Sequence, residues 1–123
     1  MSQPSLLGVS AGIEMGAGAA LLLAPSFVAS ALLGEELTSP QSLAVARIAG
    51  AALMAIAVAC WIGRSGGVGH VAGLLVYNVA VPIILLHGWF ALGFRGTALW
   101  PATLLHVALG GWCIAILGKI GKP

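Results

Sequence analysis

The sequence predicts an all-α integral membrane protein, a bundle of four spanning helices, and three observations carry the prediction. Of 123 residues, 60% are hydrophobic and only 7% charged, with no aspartate, whereas a typical soluble domain is roughly 25% charged. The mean hydropathy is +1.10. The charged residues, Glu14, Glu35, Glu36, Arg47, Arg64, Arg95, Lys119 and Lys122, cut the chain into apolar stretches close to the ~20 residues that cross a bilayer as helix. Those stretches are rich in Ala, Leu and Gly and lack the period-two alternation of a transmembrane β-barrel.

The first span is expected over about 5–24, or 5–34 if the helix continues through Pro25. A helix of about 30 residues exceeds what the hydrocarbon needs, which favours a stop at Pro25 and a short interfacial helix after it. The second span is expected over 41–63, where Ser39 and Pro40 form a helix-start signal. The third, 68–93, follows the glycine turn Arg64-Ser65-Gly66-Gly67. The fourth, 99–118, carries Pro101 in its first turn, where the missing N–H costs nothing. Together these form a single transmembrane domain over 1–123. The first five residues contain no Lys or Arg, and Glu14 interrupts the apolar run, so no signal peptide is expected.

With four spans both termini share a side with the Arg64 turn. That side holds Arg64, Lys119 and Lys122 and the other holds Arg95, which places the termini in the cytoplasm by the positive-inside rule and the protein in the inner (plasma) membrane. Trp61 and Trp100 fall near opposite edges, as in aromatic belts. A net charge of +2 offers no basic stripe, which excludes a nucleic-acid partner. So hydrophobic a chain is neither disordered nor a soluble globular enzyme. No Ser/His/Asp or Cys/His arrangement and no paired acids are present, so no enzymatic activity is expected. Cys60 and Cys113 lack metal or redox spacing, and no metal site is predicted.

Small residues bring helices together in lipid. Gly8, Gly12 and Gly16 recur at four-residue intervals in the first span, and Ala51, Ala55 and Ala59 in the second. They serve either packing within the bundle or association of copies into a homo-oligomer or larger membrane complex. Gly12 lies about 160° around the helix from Glu14, so the first span has a glycine face and a separate acidic face. If Glu14 points inward, the glycines face a partner.

Glu14 and Arg47 fall inside apolar spans, where each costs roughly 2.5–3.5 kcal/mol at mid-membrane. Either they form a buried ion pair, or Glu14 handles protons or cations while Arg47 faces Glu35, Glu36 or lipid headgroups. His87 and His106 flank the turn at Arg95-Gly96-Thr97 at one expected depth, about 14 Å below it. Together with Tyr77 and Asn78 they are candidates for interhelical hydrogen bonds or for a polar ligand such as a quinone carbonyl. Haem between the two imidazoles meets the 8–10 Å spacing of neighbouring helices, which leaves little room for a porphyrin, and no cofactor is predicted outright. Pro82 cannot donate to the carbonyl of Asn78, which is left free.

Two families resemble parts of the chain. The run Ala46-Arg47-Ile48-Ala49-Gly50-Ala51-Ala52-Leu53-Met54-Ala55 looks like the arginine-then-glycine helix of small four-helix bacterial proteins of the DoxX-like type. The first span, with Gly12, Gly16 and then Pro25, is similar as well. That resemblance covers the first half of the chain and implies an accessory part of a membrane oxidoreductase system. Glu14, with Ala11 and Gly18 around it, resembles the membrane-embedded glutamate in the first helix of small multidrug resistance transporters. It implies exchange of protons for a cationic substrate across a dimer. The third span departs from that family, reading Tyr77-Asn78-Val79-Ala80-Val81-Pro82 where a Trp/Gly-rich signature stands, and Arg47 is foreign to its second helix.

The first expectation is a non-catalytic accessory or interaction subunit of a membrane complex in the lipid bilayer. The alternatives are a proton-coupled small-molecule or cation transporter using Glu14, and a haem- or quinone-binding subunit using His87 and His106.

Overall fold

A computed structural model describes residues 2–120. The described chain forms α1 (Gln3–Leu23), a short α2 (Pro25–Leu33), α3 (Pro40–Ile62), α4 (Gly69–Ala91) and α5 (Leu99–Ile120), with a 3₁₀ turn at Gly63–Ser65. Four of these, α1, α3, α4 and α5, are long and apolar enough to cross a membrane. Lys122 lies outside the described residues.

The helix ends follow local chemistry. The hydroxyl of Ser2 accepts from the Ser5 N–H at 3.4 Å, and that of Ser39 from Ser42 at 3.0 Å. Each satisfies a donor that the first turn of a helix leaves free. The first helix ends at Ala24, with φ −137° and ψ 60°, and α2 begins at Pro25. Proline has no N–H for the carbonyl four residues back, so the break falls where the α1 hydrogen-bond ladder loses a donor.

α1 packs along α3 and α4 along α5, and α1 touches both members of the second pair. It joins the two pairs together with α2, which touches α3 and α5. The α1–α3 crossing is a contact of two glycines: a Cβ on Gly18 would stand 2.6 Å from the Gly50 carbonyl oxygen, and one on Gly50 2.8 Å from that of Gly18. Close backbone approach through small residues is the usual way helices associate in lipid.

Of the two roles expected for the small-residue stripes, packing within the bundle is not the one that Gly12 and Gly16 serve. A Cβ on Gly12 or Gly16 would meet nothing within 4 Å, and one on Gly8 only reaches the Arg64 side chain at 3.8 Å. Ala51, Ala55 and Ala59 are exposed. The reason is angular. Gly18 lies one turn after Glu14 on the buried face, whereas Gly12 and Gly16 lie on the other side of the helix.

One core cluster joins Leu6, Leu7 and Ala11 of α1 to Cys60 of α3, Val71 and Leu74 of α4, and Leu109, Cys113 and Ile116 of α5. Both cysteines there are free thiols. Around it, Val45, Ile48, Val76, Ile83, Ile84 and Leu104 are more than 60% exposed. Such a continuous apolar exterior suits hydrocarbon and not water.

Each end carries an arginine over a tryptophan. The Arg64 guanidinium sits 3.4 Å from the Trp61 ring centre and Nε donates to the Trp61 carbonyl at 3.0 Å. Beside it, Gln3 Nε2 donates to the Gly66 carbonyl. At the other end Arg95 lies 4.3 Å from the Trp89 ring, which meets Trp100 edge-on at 5.5 Å. Cation–π contacts of this kind keep the charge at the interface while the aromatic face stays in the apolar zone.

The α4–α5 connection caps α2. Arg95 N–H donates to the Leu33 carbonyl at 3.0 Å and Ala98 N–H to that of Ala31 at 2.8 Å. Gly96 makes the approach possible, since a Cβ there would stand 2.3 Å from the Ala31 oxygen. The loop after α2 is held in turn by Ser26, whose hydroxyl accepts from Leu37 N–H at 3.1 Å and donates to its carbonyl at 3.3 Å.

Candidate functional site

Four polar side chains from three helices meet near the middle of the bundle. Glu14 is the eleventh residue after the start of α1, about 16 Å along its axis. It is 1% exposed, and its Oε1 has no hydrogen-bond partner among the described residues. The Tyr77 side chain of α4 is the polar neighbour of its carboxyl. His106 of α5 meets the Tyr77 ring edge-on, with centres 5.2 Å apart and planes at 87°. Its Nδ1 lies 2.8 Å from Oδ1 of Asn78, and Asn78 Nδ2 donates to the Leu74 carbonyl at 2.9 Å.

Helical spacing explains the convergence. Glu14 shares the buried stripe of α1 with Ser10, Ala11 and Gly18, positions three to four residues apart. Asn78 shares the buried stripe of α4 with Val71, Leu74, Pro82 and Leu85. Gly110 on α5 faces Asn78, where an added Cβ would stand 3.6 Å from the Asn78 oxygen. A glycine thus lies against the carbonyl that Pro82 leaves without a donor.

Glu14, Tyr77 and His106 line a cavity of about 360 Å³ whose other walls are apolar. Alanines 17, 20, 31, 98 and 102 make those walls thin, and Phe27 of α2, 74% exposed, stands at the rim. Ligand sites commonly have this character, a mostly apolar space with a few convergent polar groups. What sets this one apart is a buried carboxyl with no cation beside it among the described residues, because isolated buried charge is costly.

Of the residues singled out from the sequence, the structure brings Glu14, Tyr77, Asn78 and His106 together. Arg47 and His87 are left out. Arg47 is exposed, and its Nε donates to the Leu22 carbonyl at 3.3 Å. The expected Glu14–Arg47 ion pair is therefore not formed, nor does Arg47 serve Glu35 or Glu36. The break at Pro25 leaves carbonyls at the end of α1 without donors, and a cation at a helix C-terminus is favoured there.

His87 is exposed as well. It follows Asn78 by nine residues, about half a revolution around α4, so it points away from the face that Asn78 and His106 share. The two imidazoles differ in direction, and no paired-histidine site exists. No group of three His, Cys, Asp or Glu side chains able to hold a metal ion occurs among the described residues.

Gly50 and Gly18, noted from the sequence only within the two family resemblances, are the residues of the helix contact, and the spacing of Gly18 four residues from Glu14 carried the signal of a shared face. Compared with protein-family models, curated protein sequences and solved structures, the chain matches none.

Proposed function

We propose that the chain is a multi-pass protein of the bacterial inner membrane that binds an apolar molecule with a charged or polar head inside the bilayer, anchoring the head at Glu14. The observation that carries this reading is the Glu14 carboxyl, buried, without a hydrogen-bond partner at Oε1 and lining an apolar cavity. An unneutralised charge at that depth is expensive, and such groups in membrane helices mark ligand or ion pathways. The site lies near mid-depth, which suits a carrier of cations or a protein that hands an amphiphile to a partner. No catalytic step is assigned to it. The Lys and Arg balance of the two ends supports cytoplasmic termini.

Dicyclohexylcarbodiimide, an apolar reagent that adds across a carboxylic O–H and rearranges to a stable acylurea, tests the reading. The purified protein in lipid vesicles is expected to take up one adduct, mapped to Glu14 by mass spectrometry. An amphiphilic ammonium such as octylammonium is expected to slow that reaction. Labelling confined to Glu35 or Glu36 would sink the reading.

A second reading has its own observation. Gly12 lies on an open groove of about 410 Å³ with Gly8, Met15, Ala57, Val58 and Trp61, and Gly16 continues the same open face of α1. This surface suits a helix of a second copy or of a larger membrane complex, the accessory role expected from the sequence. Cross-linking in native membranes tests it: Gly12→Leu should abolish a cross-linked species that the unsubstituted protein forms, and its absence from both counts against association here.

A further inference from the structure

We propose that the head group bound at Glu14 is a protonated primary amine, read by two hydrogen-bond acceptors, the Glu14 carboxylate and Nε2 of His106, and that Asn78 creates the second of these by setting the imidazole tautomer. The proposal rests on the ligand-binding reading of the same cavity.

The Asn78 side chain is 1% exposed. Its amide nitrogen is committed as donor to the Leu74 carbonyl at 2.9 Å, so the group facing His106 is the amide oxygen, 2.8 Å from Nδ1. A carboxamide oxygen only accepts, so the proton sits on Nδ1. In a neutral imidazole the other nitrogen then carries a lone pair. That ring lines the cavity together with Glu14 and Tyr77. Glu14 Oε1 is the second acceptor without a partner. Tyr77, edge-on to His106 and beside Glu14, links the two and adds a hydroxyl able to donate or accept.

An acceptor-rich site in apolar surroundings selects against ligands that bring only acceptors, because its buried polar atoms would stay unpaired. A quinone has carbonyl oxygens and no charge. A quaternary ammonium supplies charge without an N–H. A primary ammonium supplies three N–H donors and the countercharge that Glu14 lacks. Arg47 is engaged at the end of α1 with Leu22, and Arg64 is stacked on Trp61.

The test compares three probes of similar chain length at equal membrane-bound concentration: octylammonium, octyltrimethylammonium and a decyl-substituted benzoquinone. The readout is protection of Glu14 from dicyclohexylcarbodiimide in vesicles, scored by mass spectrometry as the sum of acylurea and octylamide at Glu14, because a primary amine can also trap the activated carboxyl as an amide. Octylammonium is expected to protect about tenfold better than its trimethyl analogue, the worth of about one charge-assisted hydrogen bond, and the quinone not at all.

Nitrogen-15 NMR of the His106 ring reads the tautomer directly. A protonated Nδ1 and an unprotonated Nε2 are expected, with Asn78→Leu mixing the tautomers and narrowing the difference between the two ammonium probes. Equal protection by the trimethyl probe, protection by the quinone, or an Nε2–H ring would each overturn the proposal while leaving the ligand-binding reading intact. Protection by none of the three, with Glu14 still labelled, would overturn both.

Discussion

Substituting Gly18 by alanine adds one methyl group where the α1 and α3 backbones touch. The new Cβ would stand 2.6 Å from the Gly50 carbonyl oxygen, 2.7 Å from Met54 Cγ and 3.0 Å from the Met54 backbone nitrogen, whereas ordinary contact begins at 3.4 Å. The methionine side chain can turn aside, but the two backbone atoms cannot, so the helices must separate by about 0.8 Å at the crossing, the difference between 3.4 and 2.6 Å. Forced overpacking of this kind costs about 1–3 kcal/mol. Against it stands the gain in helix propensity of alanine over glycine, up to ~1 kcal/mol, so a net loss of about 1–2 kcal/mol is expected.

The assay is reversible unfolding in mixed micelles by titration with sodium dodecyl sulfate, followed by circular dichroism. Gly12→Ala and Gly16→Ala are the controls, because their new methyl groups meet nothing within 4 Å. Both are expected to be neutral or slightly stabilising. If Gly18→Ala unfolds at the same detergent fraction as the unsubstituted protein, or Gly12→Ala is the more harmful change, the glycine crossing is not the contact that holds α1 on α3.

Two further outcomes follow from particular contacts. Because Arg47 donates to Leu22 and Glu14 lines the cavity, Glu14→Gln and Arg47→Gln should act independently. A double-mutant cycle on unfolding free energy is expected to show coupling below ~0.5 kcal/mol, where a buried ion pair would give several times that. Gly96→Ala pushes a methyl group against the Ala31 and Leu32 backbone, with its Cβ 2.3 Å from the Ala31 oxygen. Amide hydrogen exchange should accelerate in residues 25–33 and leave the middles of α1 and α3 protected. Uniform acceleration throughout would refute the idea that the loop specifically seats α2.

The class of the fold was legible because in a bilayer every backbone polar group must find its partner within the chain, and long, almost uncharged stretches have that solution only as helices. The helix breaks were legible for local reasons: Ser39 and Pro40 start α3, and Pro25 removes a donor from α1. The site was legible in part. Glu14, Tyr77, Asn78 and His106 stood out because each is polar in an apolar span, where polarity is expensive. Their grouping was not, since it depends on which faces of α1, α4 and α5 turn inward. His87 shows the limit: its depth was readable from its distance to the turn, but its direction is set by the rotation of α4.

By itself, then, the sequence determined that four helices of membrane-spanning length would form, where they would start and stop, and which residues would be costly to embed. Only the tertiary structure decided who neutralises whom. Arg47 went to the broken end of α1, where its Nε donates to the Leu22 carbonyl, and the Glu14 carboxyl was left buried with Oε1 unpaired among the described residues. Helix formation depends on chemistry within a few residues, whereas the partners of a buried charge depend on the rotation and crossing of whole helices. Those are set by contacts such as Gly18 on Gly50, which lie 32 residues apart in the chain.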